Sequence, residues 1–266
     1  MAKYIELPSA DRVETRLTTV YSLPKKVRSN TDAGLVAYQT GNVPHWPGYK
    51  RELFGRKITF LAEFDETSAA QIRTRIQQPL TEIASHHGID LITSLPGNLP
   101  PYFDLPPHLT VQFPHFVPKT DLARIQEVTT AVTTQTSAAA KNLEGAVVPF
   151  DTLVLAGPQL YICAGRPTRS RQAFANFWNI LDTRDKINTV LDPIPDLENP
   201  PYDDIIHSVA GRVIGTHNPN YSAFEVEANA TVRHDLTENP IDAVVGRVYV
   251  GPITDYVNRV NPQLLV

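Results

Sequence analysis

The same order of sequence elements occurs twice in this chain, and each copy includes a strand-like segment that carries a histidine. Each half is predicted as strand, helix, proline-rich loop, histidine strand, helix and strand, with His108 and His207 at equivalent places. Short strands and amphipathic helices must bury their apolar faces against one another, which restricts the layers that such a chain forms. The repeated order therefore predicts an α+β fold built from two similar halves.

The two ends of the chain differ in character. Residues 1–56 contain prolines, glycines and scattered aromatic residues, as in "NVPHWPGYK", and predict an irregular N-terminal extension. Residues 57–266 are regular, and a chain of 266 residues suits one large domain or two lobes that share a core. Strands are predicted at 57–64, 106–113, 146–156, 160–165, 203–213 and 242–253. Helices are predicted at 68–88, 120–145, 170–191 and 222–236.

Composition limits the class of ligand and the cellular compartment that can be expected for this chain. The formal net charge is −4, and the basic residues form no run longer than Lys25 and Lys26. Long nucleic acids are bound mainly by lysine and arginine, so a small phosphorylated ligand or a nucleic-acid end is favoured over a long duplex. Cys163 is the single cysteine, which excludes an internal disulfide and a thiolate metal cage and fits a cytoplasmic protein. Neither a membrane span nor a secretory signal is predicted.

The segment around His108 alternates polar and apolar residues. In "HLTVQF", His108, Thr110 and Gln112 alternate with three apolar residues. Side chains of a strand point to its two faces in turn, so an imidazole, a hydroxyl and an amide are predicted on one face. Two other interpretations stay open: an exposed edge strand would explain His108, and a buried, hydrogen-bonded histidine would explain His207.

The two histidine segments resemble the motifs of a known superfamily. "HLTV" at 108–111 and "HSVA" at 207–210 resemble the paired H-x-[ST] motifs of the 2H phosphoesterases, which include LigT-like RNA cyclic phosphodiesterases. The resemblance covers residues 57–266 in element order. Val209 stands where the family has threonine or serine. Ser208 provides a hydroxyl one position early, which a regular strand would place on the opposite face and a local bulge could turn inward.

The resemblance implies a fold and a mechanism. The implied fold is bilobal and pseudo-symmetric, with two antiparallel β-sheets lining a central cleft and helices outside. His108 and His207 would act as general base and general acid on a phosphodiester, and the hydroxyls of Thr110 and Ser208 would hold the phosphoryl oxygens. The family's reaction needs neither a metal ion nor a cofactor.

Residue chemistry agrees with this implication. Histidine has an unperturbed pKa near 6.5, so a pair supplies one base and one acid near neutrality. The attacking and leaving oxygens lie roughly in line at phosphorus, which suits one histidine on each side. The function predicted is metal-independent hydrolysis of a phosphodiester in a small nucleotide or at an oligonucleotide end. The resemblance implies a 2′,3′-cyclic phosphate as the first choice of substrate, and a 2′–5′ or cyclic oligonucleotide is the second. The alternative, which Val209 supports, is a non-catalytic nucleotide-binding module.

Four further residues are weaker candidates for substrate contacts. Arg247 and Tyr249 share one strand face, and Tyr161 lies in "LYICAG". A guanidinium binds phosphate oxygens, and tyrosine stacks on nucleobases. Arg212 is predicted on the face opposite His207 if its strand is regular. The sequence contains no H-E-x-x-H pattern, so no metal site is predicted.

Overall fold

The structure is a computed structural model in which strands and helices alternate along the chain. It describes residues 58–95, 107–112, 114–116, 120–156, 159–165, 170–198, 206–214 and 219–252. The predicted N-terminal extension, residues 1–56, lies outside these residues. The described strands are β1 (Ile58–Phe64), β2 (Asp90–Ile92), β3 (His108–Gln112), β4 (His115–Phe116), β5 (Val147–Phe150), β6 (Thr152–Ala156), β7 (Gln159–Cys163), β8 (Leu197–Glu198), β9 (His207–Ile214) and β10 (Ile241–Pro252).

The helices lie close to the predicted ranges. They are α1 (Glu66–Ile72), α2 (Gln78–His86), α3 (Leu122–Lys141), α4 (Arg171–Leu191), α5 (Tyr221–Ala228) and α6 (His234–Glu238). Asp121 caps α3 by accepting a hydrogen bond from the Arg124 amide at 2.8 Å, as the sequence indicates. A π-helical turn, Arg73–Gln77, joins α1 to α2, whose first turn contains Pro79. Within the described residues, no helix is both long enough and apolar enough to cross a bilayer.

One antiparallel sheet contains most of the strands. Its order is β5, β10, β1, β3, β9, β7 and β6, with β2 beside β9, while β4 and β8 form a separate pair. The expectation of two sheets is therefore corrected, because β3 and β9 pair through Leu109 and Ser208. The last strand, β10, lies between β5 and β1 of the first half, so the sequential halves do not form separate sheets.

The two ends of this sheet are joined by one residue. The sequence predicted a single strand over 146–156, but Asp151 divides it into β5 and β6, which occupy opposite ends of the strand order. The sheet must therefore curve until its ends approach each other. Asp151 is fully buried, and its carboxylate accepts hydrogen bonds from the Thr152 hydroxyl at 3.0 Å and the Gly165 amide at 2.8 Å. Its own amide donates to the Cys163 carbonyl at 3.1 Å.

The helices bury one face of the sheet. Alternate strand residues such as Phe60, Ala62, Leu109 and Ile162 belong to the continuous apolar core. The apolar residues that share one face of the first helical segment are all buried in the same core: Ile72, Ile76, Leu80 and Ile83. Burial of apolar area is the main favourable term in folding, so this pattern fixes which face of each strand meets the helices. The other face, which carries His108 and His207, is called the histidine face below.

Candidate active site

His108 and His207 lie on adjacent antiparallel strands and on the same face of the sheet. The register pairs Leu109 with Ser208, and both of these residues are buried on the helix-packed side. Residues next to a paired position point to the opposite face, so His108 and His207 both lie on the histidine face. Both imidazoles are half-buried. The two motifs are thus brought together although they are far apart in the sequence.

The register also gives the arrangement of the motif residues. With Leu109 opposite Ser208 in antiparallel strands, His108 lies opposite Val209, and Thr110 lies opposite His207. The histidines are therefore diagonal neighbours, with Cα atoms about 7–8 Å apart. The four residues form a two-by-two group on the histidine face, called the motif block below.

Two rows of side chains extend from the motif block across neighbouring strands. In the first row, Glu63 of β1 pairs with His108, Arg247 of β10 pairs with Glu63, and Tyr161 of β7 pairs with Val209. The second row consists of Tyr249, Leu61, Thr110, His207 and Cys163. The predicted candidates Tyr161, Arg247 and Tyr249 thus share the histidine face with both histidines. Leu61 and Cys163 are apolar neighbours that are almost fully buried.

Tyr161 packs directly on one histidine. Its ring centroid lies 4.8 Å from that of His207, and the two rings are nearly perpendicular at 79°. This edge-to-face geometry is a preferred arrangement of aromatic rings. Only 8% of Tyr161 is exposed. Tyr161 therefore supports the His207 ring, and its burial leaves little of its surface for stacking on a base.

A polar cluster lies on the other side of the motif block. The Tyr249 hydroxyl donates a hydrogen bond to Glu63 Oε2 at 3.0 Å, and Arg247 lies opposite Glu63. Burial raises the pKa of Glu63 above its usual value, although the Tyr249 hydrogen bond and the Arg247 charge act in the opposite direction. Burial and the hydrogen bond to Glu63 raise the pKa of Tyr249. Arg247 itself is exposed to solvent.

A bulge in β9 changes the predicted position of Arg212. Tyr161 pairs with Val209, whereas Leu160 pairs with Gly211, so Ala210 is the extra residue. The bulge reverses the alternation, and Arg212 lies on the same face as His207 instead of the opposite one. The side chain of Arg212 is half-buried. The expectation for Arg212 is thereby corrected, and a guanidinium joins the histidine face beyond Val209.

The same bulge does not bring Ser208 inward. Ser208 precedes Ala210, pairs with Leu109 on one side and Ile162 on the other, and is 1% exposed. Its hydroxyl has no hydrogen-bond partner within the described part of the chain. The structure therefore places Ser208 on the helix-packed side, away from the motif block, which corrects its predicted role as a phosphate ligand.

A second bulge removes Gln112 from the predicted polar row. Thr110 pairs with Leu61, but Gln112 pairs with Phe60, so Val111 is extra. Gln112 consequently faces the helices and donates a hydrogen bond to Asn188 of α4. The Val111 carbonyl accepts a hydrogen bond from Nε of the buried Arg184 at 2.8 Å. The amide predicted beside Thr110 is thus part of the helix contact.

A third bulge, in β10, sets the direction of Arg247 and Tyr249. Phe64 pairs with Val245 and Glu63 pairs with Arg247, which leaves Gly246 as the extra residue. A Cβ atom at Gly246 would lie 3.2 Å from the Cα and N atoms of Asp65, closer than most such contacts. The bulge allows Val245 to enter the core while Arg247 lies on the histidine face.

Sequence analysis missed Glu63. It is the one charged residue of the segment "ITFLAEF", an unusual residue in a strand with two buried faces. The unusual position of Glu63 could have been noticed in the sequence. Its pairing with His108, however, depends on the register between β1 and β3, which the sequence of one strand does not specify. As to metal ions, the described residues contain no group of three histidine, cysteine or acidic side chains that could hold one.

Comparisons with known proteins give little beyond this geometry. No protein-family model matches the chain, and a search of curated proteins finds no match. Among solved structures, the chain is similar to Kluyveromyces marxianus Usb1, at 13% sequence identity and a TM-score of 0.40. The similarity covers 76% of this chain and 96% of that chain. A similarity this weak supports no conclusion about function. The evidence for the candidate site is therefore the placement of its own residues.

Proposed function

We propose that the protein is a metal-independent phosphodiesterase that uses His108 and His207 as its acid–base pair. The motif block is the observation that carries this proposal, because two sequence-distant histidines and one motif threonine share a face on adjacent strands. General acid–base catalysis by a positioned histidine contributes about 10²–10⁴-fold to a rate. A pair of such groups suits a reaction in which one oxygen gains a proton while another loses one.

The separation of the histidines supports displacement at phosphorus. Cα atoms about 7–8 Å apart on one face allow the two imidazoles to approach a phosphoryl group from different sides. In-line displacement needs a base next to the attacking oxygen and an acid next to the leaving oxygen. The diagonal arrangement of His108 and His207 meets this requirement with one residue from each strand.

Two donors are proposed to hold the phosphoryl oxygens. The Thr110 hydroxyl lies opposite His207, and Arg212 enters the histidine face through the bulge at Ala210. A guanidinium forms charge-assisted hydrogen bonds with phosphate oxygens. Arg212 therefore compensates for Val209, which has no hydroxyl, and Ser208 takes no part.

The proposed substrate is a small nucleotide or an oligonucleotide end. The net charge of −4 and the absence of a long basic run favour a compact ligand over an extended polymer. A 2′,3′-cyclic phosphate is the first choice, and a 2′–5′ or cyclic oligonucleotide is the second. Arg247, which is exposed at the end of the first row, is proposed to contact a part of the substrate away from the reacting phosphate.

The proposal is tested by incubating the full chain with a panel of cyclic, 2′–5′ and 3′–5′ nucleotides in EDTA, with products identified by mass. We expect one substrate class to be cleaved, and His108→Ala and His207→Ala each to lower kcat/KM by about 10²–10⁴-fold. His86→Ala, at the end of α2 and away from the sheet, is the matched control and should retain activity. Activity that needs added metal, or that survives both histidine substitutions, would contradict the proposal.

Val209 favours a second candidate function, a module that binds nucleotides without cleaving them. A valine opposite His108 leaves the second motif without its hydroxyl. This candidate predicts that the panel binds, as measured by calorimetry, but yields no products. It also predicts that Val209→Thr restores no turnover. Cleavage by the unmodified protein would eliminate this candidate.

A further inference from the structure

A half-buried carboxylate, a phenol and an exposed guanidinium form one connected cluster beside the motif block. The Tyr249 hydroxyl donates a hydrogen bond to Glu63 Oε2 at 3.0 Å. Arg247 lies directly opposite Glu63 on β10, and its charge acts on both Glu63 and Tyr249. Its guanidinium also donates a hydrogen bond to the Tyr249 hydroxyl. These three residues are called the β1–β10 cluster below.

The strand order places the β1–β10 cluster within reach of a substrate whose phosphate lies in the motif block. Glu63 pairs with His108, so the carboxylate is one strand away from that histidine, and Arg247 is two strands away. Neighbouring strands are about 4.8 Å apart, which puts Arg247 about 10 Å from the strand of His108. One ribose and one base, extending from the phosphate across β1, therefore lie over the cluster.

The cluster retains both an acceptor and donors for a ligand. Tyr249 binds one carboxylate oxygen of Glu63, whereas Oε1 has no hydrogen-bond partner within the described residues. Arg247 is exposed, and a guanidinium has five N–H donors, more than one phenol oxygen can use. A half-buried acceptor gains more from a hydrogen bond than an exposed one, because the local dielectric is lower. A ligand that fits here presents a donor next to an acceptor.

The carboxylate of Glu63 distinguishes between two kinds of ligand group. A second phosphate of the substrate would be attracted by Arg247 but repelled by Glu63, which carries the same sign of charge as the phosphate. The edge of a nucleobase is neutral and has donors and acceptors side by side. Bases outside a duplex are recognised by hydrogen bonds to these edges. The opposite charges of Glu63 and Arg247 therefore favour a base over a phosphate.

We propose that Glu63 and Arg247 form a base-recognition subsite that selects a base with an exocyclic amino group over uracil. The proposal rests on the phosphodiesterase function proposed above. A carboxylate accepts a hydrogen bond from the N4 amino group of cytosine, and the adjacent ring nitrogen accepts one from the guanidinium. Uracil has a carbonyl oxygen in place of that amino group, so its edge brings an acceptor against the carboxylate. Tyr249 is a positioning residue, because it orients Glu63.

The test compares kcat/KM for matched substrates of the class that the panel identifies. Their reacting nucleoside carries cytosine, uracil or no base, and each is prepared with and without a 5′-phosphate. We expect the unmodified protein to prefer cytosine to uracil by about 10- to 100-fold, the factor that one hydrogen bond to a charged group provides. The base-free substrate reports folding and chemistry without base recognition.

Two variants separate the contributions of the subsite. In Glu63→Gln, the amide oxygen still accepts from Tyr249, and the amide N–H group faces the base and donates to the uracil carbonyl. Its preference for cytosine should therefore disappear or reverse. Arg247→Gln should lower kcat/KM for both bases about 10-fold, because it removes a charged donor. Both variants should cleave the base-free substrate at the original rate.

A matched control and the contrary outcomes complete the test. Glu144→Gln makes the same chemical change in the exposed turn after α3 and should leave the cytosine-to-uracil ratio unchanged. A ratio near one in the unmodified protein, or an equal ratio in Glu63→Gln, would overturn this inference and leave the proposed function intact. An Arg247→Gln loss confined to 5′-phosphorylated substrates would also overturn it, because it would show a phosphate subsite. Full activity of His108→Ala and His207→Ala would overturn the proposed function itself.

Discussion

Thr110 and Ser208 show how one residue position decides whether a hydroxyl takes part in chemistry. Both hydroxyls belong to the H-x-[ST]-like segments, but Thr110 lies on the histidine face, whereas Ser208 is 1% exposed on the helix-packed face. The difference follows from the two-residue period of a strand, in which a shift by one position moves a side chain to the other face.

We therefore expect substitution of Thr110 to lower activity and substitution of Ser208 to leave it unchanged. Thr110→Val should lower kcat/KM roughly 10- to 100-fold, since a hydrogen bond to a charged group contributes about 1.5–3 kcal/mol. Ser208→Ala should keep turnover and should not lower the free energy of unfolding, because the substitution removes a buried hydroxyl without a described partner. Steady-state rates and urea melts of the two variants are the measurements. Inactivation by Ser208→Ala with an unchanged melt would show that the pairing of Ser208 with Leu109 is wrong.

Ionised Glu63 is expected to lower the free energy of unfolding. Its pKa in the folded protein is raised by burial, so the folded state binds a proton more readily than the unfolded chain. The stability contributed by the protonated carboxyl is therefore present at low pH and is lost as the pH rises through the raised pKa.

The direction of this pKa shift predicts how the stability of Glu63→Gln differs from that of the unmodified protein as the pH changes. The free energy of unfolding of Glu63→Gln, relative to the unmodified protein, should increase as the pH rises from 4 to 8. Urea melts of the two proteins at several pH values measure this difference. A relative stability that falls with rising pH would mean that the neighbouring Arg247 charge outweighs burial.

At the scale of elements, three bulges decide which side chains reach the site. They lie at Val111, Ala210 and Gly246, on the strands that carry His108, His207 and Tyr249. Each one changes the face of the residues that follow it. Bulges are common next to active sites because they redirect a side chain without ending the strand.

The bulges also explain which predictions from sequence succeeded. Helix limits were predictable because caps such as Asp121 and Ser170 are local, and both accept hydrogen bonds from amides three residues ahead. The shared face of His108 and Thr110 followed from strand alternation. Gln112 and Arg212 were misplaced, since a bulge depends on the partner strand. The pairing of Glu63 with His108 was inaccessible for the same reason.

The contact between β6 and the end of β7 gives a prediction at this scale. A Cβ atom at Gly165 would lie 2.3 Å from the Thr152 hydroxyl oxygen and 2.8 Å from its Cβ. Gly165→Ala should therefore lower the free energy of unfolding by about 1–3 kcal/mol, the usual cost of overpacking. The double variant Gly165→Ala with Thr152→Ala should lose less than the sum of the single variants, as measured by urea melts. Additive losses would show that the two residues are not in contact.

At the scale of the whole molecule, Cys163 reports on the closure of the sheet. It is the only cysteine of the chain, it is 1% exposed, and its carbonyl accepts the Asp151 amide where the two ends of the sheet meet. Burial raises the pKa of its thiol far above the usual value, so the reactive thiolate is scarce in the folded state.

Labelling of Cys163 by a thiol reagent should therefore be slow in buffer and complete in denaturant. Asp151→Asn should accelerate labelling in buffer, because the amide is a weaker acceptor for the Thr152 hydroxyl and the Gly165 amide. The time course of mass increase measures both proteins. Fast labelling of the unmodified protein under native conditions would contradict a closed arrangement at this end of the sheet.

The position of β10 has a consequence for how the protein is synthesised. This strand comes last among the described elements, yet it fills the place between β5 and β1. Until the ribosome has released it, both of those strands have an unpaired edge, which is a template for association with other chains. Pairing over such a sequence separation is also slow, because the loop must close before the contacts form. The nascent protein therefore depends on its final strand for protection, and truncation before β10 should yield insoluble chains.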